Sequence, residues 1–483
     1  MSVEKAAGSL TGGKGGSLPG IPGTPGIKPA GSDALQIVRD ATCTFCGCVC
    51  DDIDLTVQGQ RITAAERACA LGESWFLSQK IESRPACLIA GQPATVAEGL
   101  EQAAQLLAGA KYPLVYGLGD TTTESQRAAV GIADWIGGTV DTTTSLTHGP
   151  SGVSFQGVGE VTSSLGEVRN RGDLILFWGS NPAANQPRHF SKYSLAPKGL
   201  FVPGGRADRT CVVVDVEQTE SAEQADLFIQ IKPGGDFEAL WALRALAAGI
   251  EIDAEVVAAA TGQPLFVWQD LIERMKQAKF GVLFYGEGVT QSRGKHLNAE
   301  AIMALTRDLN QYTRFVCKLN RGRGNVTGAD QVVTWRTGYP FGVNLSRGYP
   351  RFNPGEYTAA ELLARREVDA ALIVASDPLS EFARLGADPA AGKHLESIPT
   401  IAIDSRETAT TRAATISFHV ATYGISVPGT VYRMDEVPIP LRTAFESPFP
   451  SDWEILTAIE QRVKELKGSL LAQIKPLTPA LSP

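Results

Sequence analysis

The sequence predicts an α/β fold: two parallel-sheet halves behind a small cysteine-rich N-terminal domain. Three observations carry this reading. Continuous β-branched and apolar runs alternate with turns and helical stretches through the middle of the chain. Five of the eight cysteines lie between Cys43 and Cys69. Two strand-turn units, LFWGSNP (176–182) and LIVASDP (372–378), resemble each other and suggest two related nucleotide-binding halves, unless they share only common turn chemistry.

Taken in order, residues 1–35 are rich in Gly, Pro and Ser. Such a stretch buries too little apolar area to offset the entropy of ordering, so disorder is expected there. Residues 36–90 form the cysteine domain. Cys43, Cys46 and Cys50 follow C-x2-C-x3-C, and eighteen residues separate Cys50 from Cys69. Three clustered thiolates and a distant fourth suit a [4Fe–4S] cluster. Structural zinc is the alternative, although zinc sites more often use two C-x2-C hooks and only one is present. Cys48 falls outside the pattern as a spare. IDLTVQGQRITAA reads as two short strands around Gln-Gly-Gln, while Cys87, Cys211 and Cys317 are isolated and read as buried thiols.

Residues 91–445 carry the α/β region. RGDLILFWGSNPAAN, TCVVVDVEQTESAEQAD, DLFIQIKPGGDFEALWALRALAAG, KFGVLFYGEGVTQS, VDAALIVASDPLSEFA and IPTIAIDSRETAT each read as a buried strand and a turn. Strands apolar along their whole length belong in parallel sheets covered on both faces, with ligands at their C-terminal ends. Residues 446–483 should form a helix and a loose tail, the helix capped by Ser451 and Glu454.

Composition narrows the function classes. A formal net charge of −8 argues against general binding to nucleic acid or anionic membrane. No apolar run reaches the ~18 residues of a bilayer span, and no compact apolar leader is visible. A cytoplasmic protein is expected.

The cysteine pattern followed by FWGSNP resembles the molybdopterin oxidoreductase superfamily. The stretches TSLTHGPS, SLGEVRNRGDLILFWGSNPAANQPRHFSKYS, GEGVTQSRGKHLNAEAIMAL, RGRGNVTGADQVVTWRTGYPFGVNLSRGYPRFNPGEYTA and PGTVYRMDEVPIPLR narrow this. From about residue 38 to 445 the chain resembles the B subunits of formylmethanofuran dehydrogenase, including the related B-type chain of the bacterial formyltransferase/hydrolase complex. The resemblance implies a molybdopterin oxidoreductase-like fold with an N-terminal Fe–S domain and two Rossmann-like halves. It also implies partner subunits of amidohydrolase type, of pterin-contacting or formyltransferase type, and a C-like subunit. The resemblance further implies that the C-terminal pterin-contacting domain of single-chain relatives is carried by a separate subunit in this family.

The family reduces CO2 to formate at a tungsten or molybdenum centre held by a bis-pterin guanine dinucleotide and the Cys of a CHGP motif. A soft thiolate suits that metal. Here the motif reads THGP, with Thr147 at the ligand position. Either the cofactor is absent and the fold kept as a scaffold, or the cofactor binds with an altered ligand.

His148 would face substrate and exchange a proton, or be a loop histidine kept for packing. Arg321 would hold a carboxylate bidentately, or form a structural salt bridge. Arg323 replaces an expected family histidine. Ser180, Asn181 and Pro182, with Arg188 and His189 after them, would contact the dinucleotide. Asp215 would bind guanine or ribose. Gly234, Gly235 and Asp236 would meet phosphate, and Asp377 occupies the matching turn. Turn chemistry alone also accounts for each of these. His296, His394 and His419 are expected to be structural or exposed.

Thr147 thus favours a non-redox structural subunit of a formyltransferase/hydrolase-type complex in one-carbon metabolism. The complete cysteine set favours the rival, an active tungsten or molybdenum dehydrogenase subunit. A stand-alone formate dehydrogenase would need a catalytic Cys and a fused C-terminal domain.

Overall fold

The computed structural model describes residues 34–473, with side chains to 468. The expected N-terminal disorder falls, apart from residues 34 and 35, outside the described residues, as does the tail from 474. Leu35 already belongs to the first strand, one residue inside the stretch expected to be disordered.

Three antiparallel strands come first: β1 (Leu35–Ala41), β2 (Ile53–Gln58) and β3 (Arg61–Glu66). Ile53, Leu55 and Val57 point inward, and Asp54 and Thr56 between them do not, the alternation of a half-buried strand. The β2–β3 hairpin turns at Gly59, whose φ of +58° suits glycine. These are the two expected strands. β1 is an addition, with no alternation to mark it, since Leu35 and Ile37 both stay exposed.

The next strands are β4 (Cys87–Ile89), β5 (Gln92–Pro93), β6 (Pro113–Gly117) and β7 (Thr139–Thr142). β8 (Leu174–Trp178), β9 (Thr210–Asp215), β10 (Leu227–Gln230), β11 (Phe280–Tyr285) and β12 (Arg314–Leu319) then form a parallel sheet of order β10-β9-β8-β11-β12. The chain returns through β13 (Val343–Asn344), β14 (Arg351–Phe352), β15 (Ala370–Val374), β16 (Thr400–Asp404) and β17 (Ile416–His419). These complete a sheet of order β14-β13-β7-β6-β15-β16-β17-β4-β5, parallel from β7 to β17 with antiparallel edges. A hairpin, β18 (Gly429–Tyr432) and β19 (Pro438–Leu441), follows.

Both halves therefore exist, but the smaller is inserted into the larger. β8, β11 and β15 are buried at every position, as strands covered on both faces must be. Two expected boundaries move. Cys87–Ile89 pairs with β17, so the cysteine domain ends before that strand rather than at residue 90. The helix Asp452–Gln473 packs on Val96–Gly109 and Thr123–Ile136 and belongs to the larger half. Ile455, Leu456, Ile459 and Val463 are buried there, each contributing about 2 kcal/mol. The expected capping box is present: Glu454 N–H donates to Ser451 Oγ at 3.2 Å, and Ser451 N–H to Glu454 Oε2 at 2.8 Å.

The turns after β8 and β15 share one backbone conformation. Gly179 and Ala375 have φ of +53° and +49°. Asn181 and Asp377 lie at φ −118°, ψ 70° and φ −121°, ψ 71°. Pro182 and Pro378 each open a short helix.

Candidate functional site

A cleft of about 1250 Å³ runs along the C-terminal ends of both sheets, where open α/β folds bind ligands. The smaller half contributes Ser180, Asn181 and Pro182 after β8, Asp215 at the end of β9, Gly286–Gly288 after β11, and Asn320, Gly322 and Arg323 after β12. The larger half contributes Asp120, Ser405, Arg406 and His419. The turn at Ser180 is braced from behind. Asn320 Nδ2 donates to Ser180 Oγ at 2.8 Å, and Ser221 Oγ donates to Asn181 Oδ1 at 2.8 Å. Burial raises the carboxyl of Asp215 above its usual range.

Cations line the cleft. Arg323 pairs with Glu381 at 2.9 Å, and Arg406 with Asp404 at 3.1 Å and Asp120 at 3.3 Å. Arg84 and Arg384 also face it. With Asp215 and the strand-end turns, they make a polar cleft of mixed charge, since Glu82, Glu217, Glu287 and Glu407 line it as well. Arg84, Arg384 and Arg406 were not predicted. Their neighbours in sequence say nothing of the cleft. His419, expected to be structural or exposed, is half-buried on the cleft wall. Burial, then the charge of Arg84, push its imidazole down to about 4.

Thr147 and His148 do not line this cleft. The run from Thr142 ends β7 and enters the short helix Thr144–Thr147. Thr147 Oγ1 donates back to the Thr143 carbonyl at 3.3 Å, and its own carbonyl accepts from Thr290 Oγ1 at 2.9 Å and Gln291 Nε2 at 2.8 Å.

His148 lies instead on a second cavity of about 130 Å³, shared with Arg321, Asp330, Lys318, Glu160 and Met434. Its ring is 2% exposed, and neither nitrogen has a hydrogen-bond partner. The Asn320 backbone faces the ring without reaching hydrogen-bonding geometry. Burial, then the Arg321 charge, push the imidazole down to about 3, so it is neutral. The loop histidine is therefore a buried one. Glu160 Oε1 is likewise buried and unpartnered, and burial raises that carboxyl to about 7 against the opposing charge of Lys318. Orphaned polar atoms at this density mark a functional cavity or ordered water.

Arg321 is committed within the protein. One terminal nitrogen donates to Thr144 Oγ1 at 2.9 Å and the other pairs with Asp330. Asp330 also accepts from Thr142 and Thr144, both at 2.9 Å. Two of the hydroxyls before His148, those of Thr142 and Thr144, thus serve this buried ion pair, and the guanidinium lacks the two free terminal nitrogens of a carboxylate clamp.

A third void, apolar and small, is ringed by Cys43, Cys46, Cys48, Cys50 and Cys69 with Phe45, Gly72 and Arg188. A Cβ at Gly72 would stand 3.2 Å from Cys43 Sγ and 3.7 Å from Cys69 Sγ. Cys48 shares the void, and its proximity lowers the pKa of the Cys46 thiol. Burial pushes Cys50 up to about 12, with Arg188 opposing. Among the described residues, no three His, Cys, Asp or Glu side chains converge on a point that could hold a single metal ion.

The remaining predicted residues have intramolecular tasks. Asp236 accepts from Trp178 Nε1 at 2.9 Å, and neither it nor Gly234 and Gly235 reaches the cleft. Asp377 accepts from Thr410 N–H at 2.9 Å and Thr410 Oγ1 at 2.6 Å. Arg188 pairs bidentately with Asp52 at 2.6 and 2.7 Å. His189 is core, packed edge-on to Phe284. His394 bonds the Val368 carbonyl at 2.7 Å, and His296 opens a helix. Cys87, Cys211 and Cys317 are buried and unpaired, as expected.

No protein-family model matches the chain. The B subunit of tungsten-containing formylmethanofuran dehydrogenase 2 from Methanocaldococcus jannaschii is 41% identical over 441 residues, which is 89% of this chain and 100% of that one. The B subunit of the formyltransferase/hydrolase complex of Methylorubrum extorquens is 27% identical over 297 residues, 61% of this chain and 75% of its own. The crystal structure of that complex with methylofuran superposes with a TM-score of 0.65 at 25% identity, over 80% of this chain and 100% of the matched one. Acetylene hydratase from Pelobacter acetylenicus, at 12% identity, shares the fold with a TM-score of 0.64 over 89% of this chain and 70% of its own.

Proposed function

The chain belongs to the family of formylmethanofuran dehydrogenase B subunits, and from that premise we propose that it serves a one-carbon enzyme complex in which it performs no redox step of its own. The observation that carries this is Thr147. At the family's metal-ligand position stands a hydroxyl that supplies no soft thiolate, and it is spent on the Thr143 carbonyl. Arg321, tied to Asp330 and Thr144, supports the same reading. Formyl transfer and hydrolysis then fall to partner subunits of amidohydrolase and formyltransferase type, with a C-like subunit, in the cytoplasm. No described helix is long and apolar enough to cross a membrane.

Cys43, Cys46, Cys50 and Cys69 hold a [4Fe–4S] cluster in this reading. The donor chemistry supports it: the four thiols share one small apolar void, with Gly72 beside Cys43 and Cys69. Such a cluster supplies a rigid cross-link between the cysteine loop and the helix Ala70–Ser78, and one-electron chemistry. The residues at position 147 do not fit a thiolate-bound tungsten or molybdenum.

One observation favours a second reading. The neutral, unpartnered His148 beside a polar cavity is what an active dehydrogenase would keep. Metal analysis of the purified complex separates the two. About four irons per chain without tungsten or molybdenum is the expected result. Stoichiometric tungsten or molybdenum, with viologen-linked formate turnover, would sink the non-redox reading. A Thr147→Cys variant that gains metal would show the rest of the pocket to be intact.

A further inference from the structure

A chain with no redox duty still keeps four cluster ligands, and the packing of the cysteine loop suggests why. The loop touches the wall between the two larger cavities at two points. A Cβ at Gly47 would lie 2.5 Å from the Arg321 carbonyl oxygen and 3.0 Å from Arg321 Cβ. A Cβ at Gly324 would lie 3.0 Å from the Thr44 carbonyl oxygen and 2.3 Å from Tyr423 Oη. The Gly47 and Thr44 contacts are to backbone, which does not swing aside. Gly47 also accepts from Met434 N–H at 2.9 Å. Arg321 and Met434 wall the small cavity, and Gly322 and Arg323 wall the cleft.

Within the loop itself, Cys43 to Cys50, there are two backbone hydrogen bonds, Cys43 N–H to Cys50 O at 2.8 Å and Val49 N–H to Cys46 O at 3.0 Å. The rest of its hold comes from distant segments: Tyr423 Oη donates to the Thr44 carbonyl at 3.4 Å and Tyr193 Oη to the Cys48 carbonyl at 3.5 Å. Val49, β-branched and fully buried, sits at φ +38°. That conformation persists only where the surroundings over-determine it. Packing of Val49 against Tyr423, Val431 and Leu441 does so on one side, and a cross-link through Cys43, Cys46, Cys50 and Cys69 would do so on the other.

We propose that Gly47 is a positioning residue that couples the cysteine-bound group to the wall of both cavities, so that occupancy of the thiol site sets the order of Arg321–Gly324 and Met434. This rests on the reading that the four cysteines hold an iron–sulfur cluster, and it gives that cluster the part of a clasp for the site. Coupling of this kind is reciprocal: loosening the wall must loosen the group.

The test is amide hydrogen exchange on the full chain as purified and after its iron is removed by a chelator under mild oxidation. Removal is expected to raise exchange at least about tenfold in residues 320–324 and 433–436, while the helix around Leu456–Val463 stays unchanged. Gly47→Ala should reproduce that local rise with iron present and should speed iron release to chelator about tenfold. Gly109→Ala, where a Cβ meets nothing within 4 Å, should do neither. The stripping arm stands without any variant, should Gly47→Ala not fold. Iron retained as purified, with exchange in the two segments indifferent to its removal, overturns the coupling alone. A chain purified without iron overturns the cluster reading and the coupling with it.

Discussion

The turns after β8 and β15 are the same piece of backbone put to different uses. Each follows a fully buried strand, and each begins with an N–H bonded to the penultimate residue of the neighbouring strand, Gly179 to Val214 at 2.9 Å and Ala375 to Ile403 at 2.8 Å. The first turn lines the cleft. The second is closed by Thr408–Thr411, whose amides and hydroxyl satisfy Asp377. The difference teaches that a strand-end turn is only a potential site. What packs across its open side decides whether a ligand or the protein itself fills it.

The comparison can be broken at several strengths. Acid should act on both halves, each through a histidine that burial holds neutral. In the smaller half His189 is fully buried, and burial pushes the imidazole down to about 3. A depressed folded pKa means that its stability contribution is full above about pH 6.5 and is lost as pH falls toward 3. At pH 4 that loss is on the order of 3 kcal/mol. Exchange protection of β8 and β11 should therefore weaken as pH falls from about 6.5 to about 4, and His189→Phe should remove most of that loss, while His419 on β17, pushed down to about 4, leaves the larger half acid-sensitive.

Gly179→Ala should cost about 3 kcal/mol, because its Cβ would meet Val289 N at 2.9 Å in a left-handed backbone. The reverse change in the twin, Ala375→Gly, should move stability by less than about 1 kcal/mol, since relief of the left-handed strain offsets the entropy of glycine. Denaturant titration of both variants reads the asymmetry directly, and equal costs would show that the two turns are packed alike.

Asp377→Ala should cost about 2 kcal/mol by stranding the Thr410 and Ala409 amides. Asn181→Ala should cost about 1 kcal/mol, since it strands one backbone amide, that of Ser221, in place of two, and its other partner, Glu220, is exposed. The smaller stability loss should come with the larger change in any ligand bound to the cleft, measured by calorimetry.

Much of this was legible in the chain. Buried strands announce themselves by unbroken apolar runs, so β8, β9, β11, β15 and β16 could be placed, as could the capped C-terminal helix. The β2–β3 hairpin showed its period of two. β1 was not legible, because its exposed Leu35 and Ile37 break any inward pattern. The cysteine spacing pointed to four thiols around one site, and Cys48 looked spare until the loop folded it inward.

Arg321 and His148 could be singled out by motif, whereas their orientation could not. Alternate residues after β12 face opposite ways: Asn320 and Gly322 toward the cleft, Arg321 toward the small cavity. Asp330, which claims the Arg321 guanidinium, stands on the helix Val326–Thr337, and nothing local marks it as a partner.

The sequence by itself determined the local terms. It specified which segments are strands, where their turns must bend, which residues carry thiols, and that position 147 bears a hydroxyl where the family places a thiolate. These depend on periodicity, backbone preference and side-chain chemistry, all short-range in the chain. Only the tertiary structure decided that one of two matching turns faces a cleft, that His148 is sealed and neutral, and that the cysteine loop rests on Arg321 through Gly47. Those outcomes depend on which distant segments come into contact, and burial, desolvation and close approach take their values only once the layers have packed.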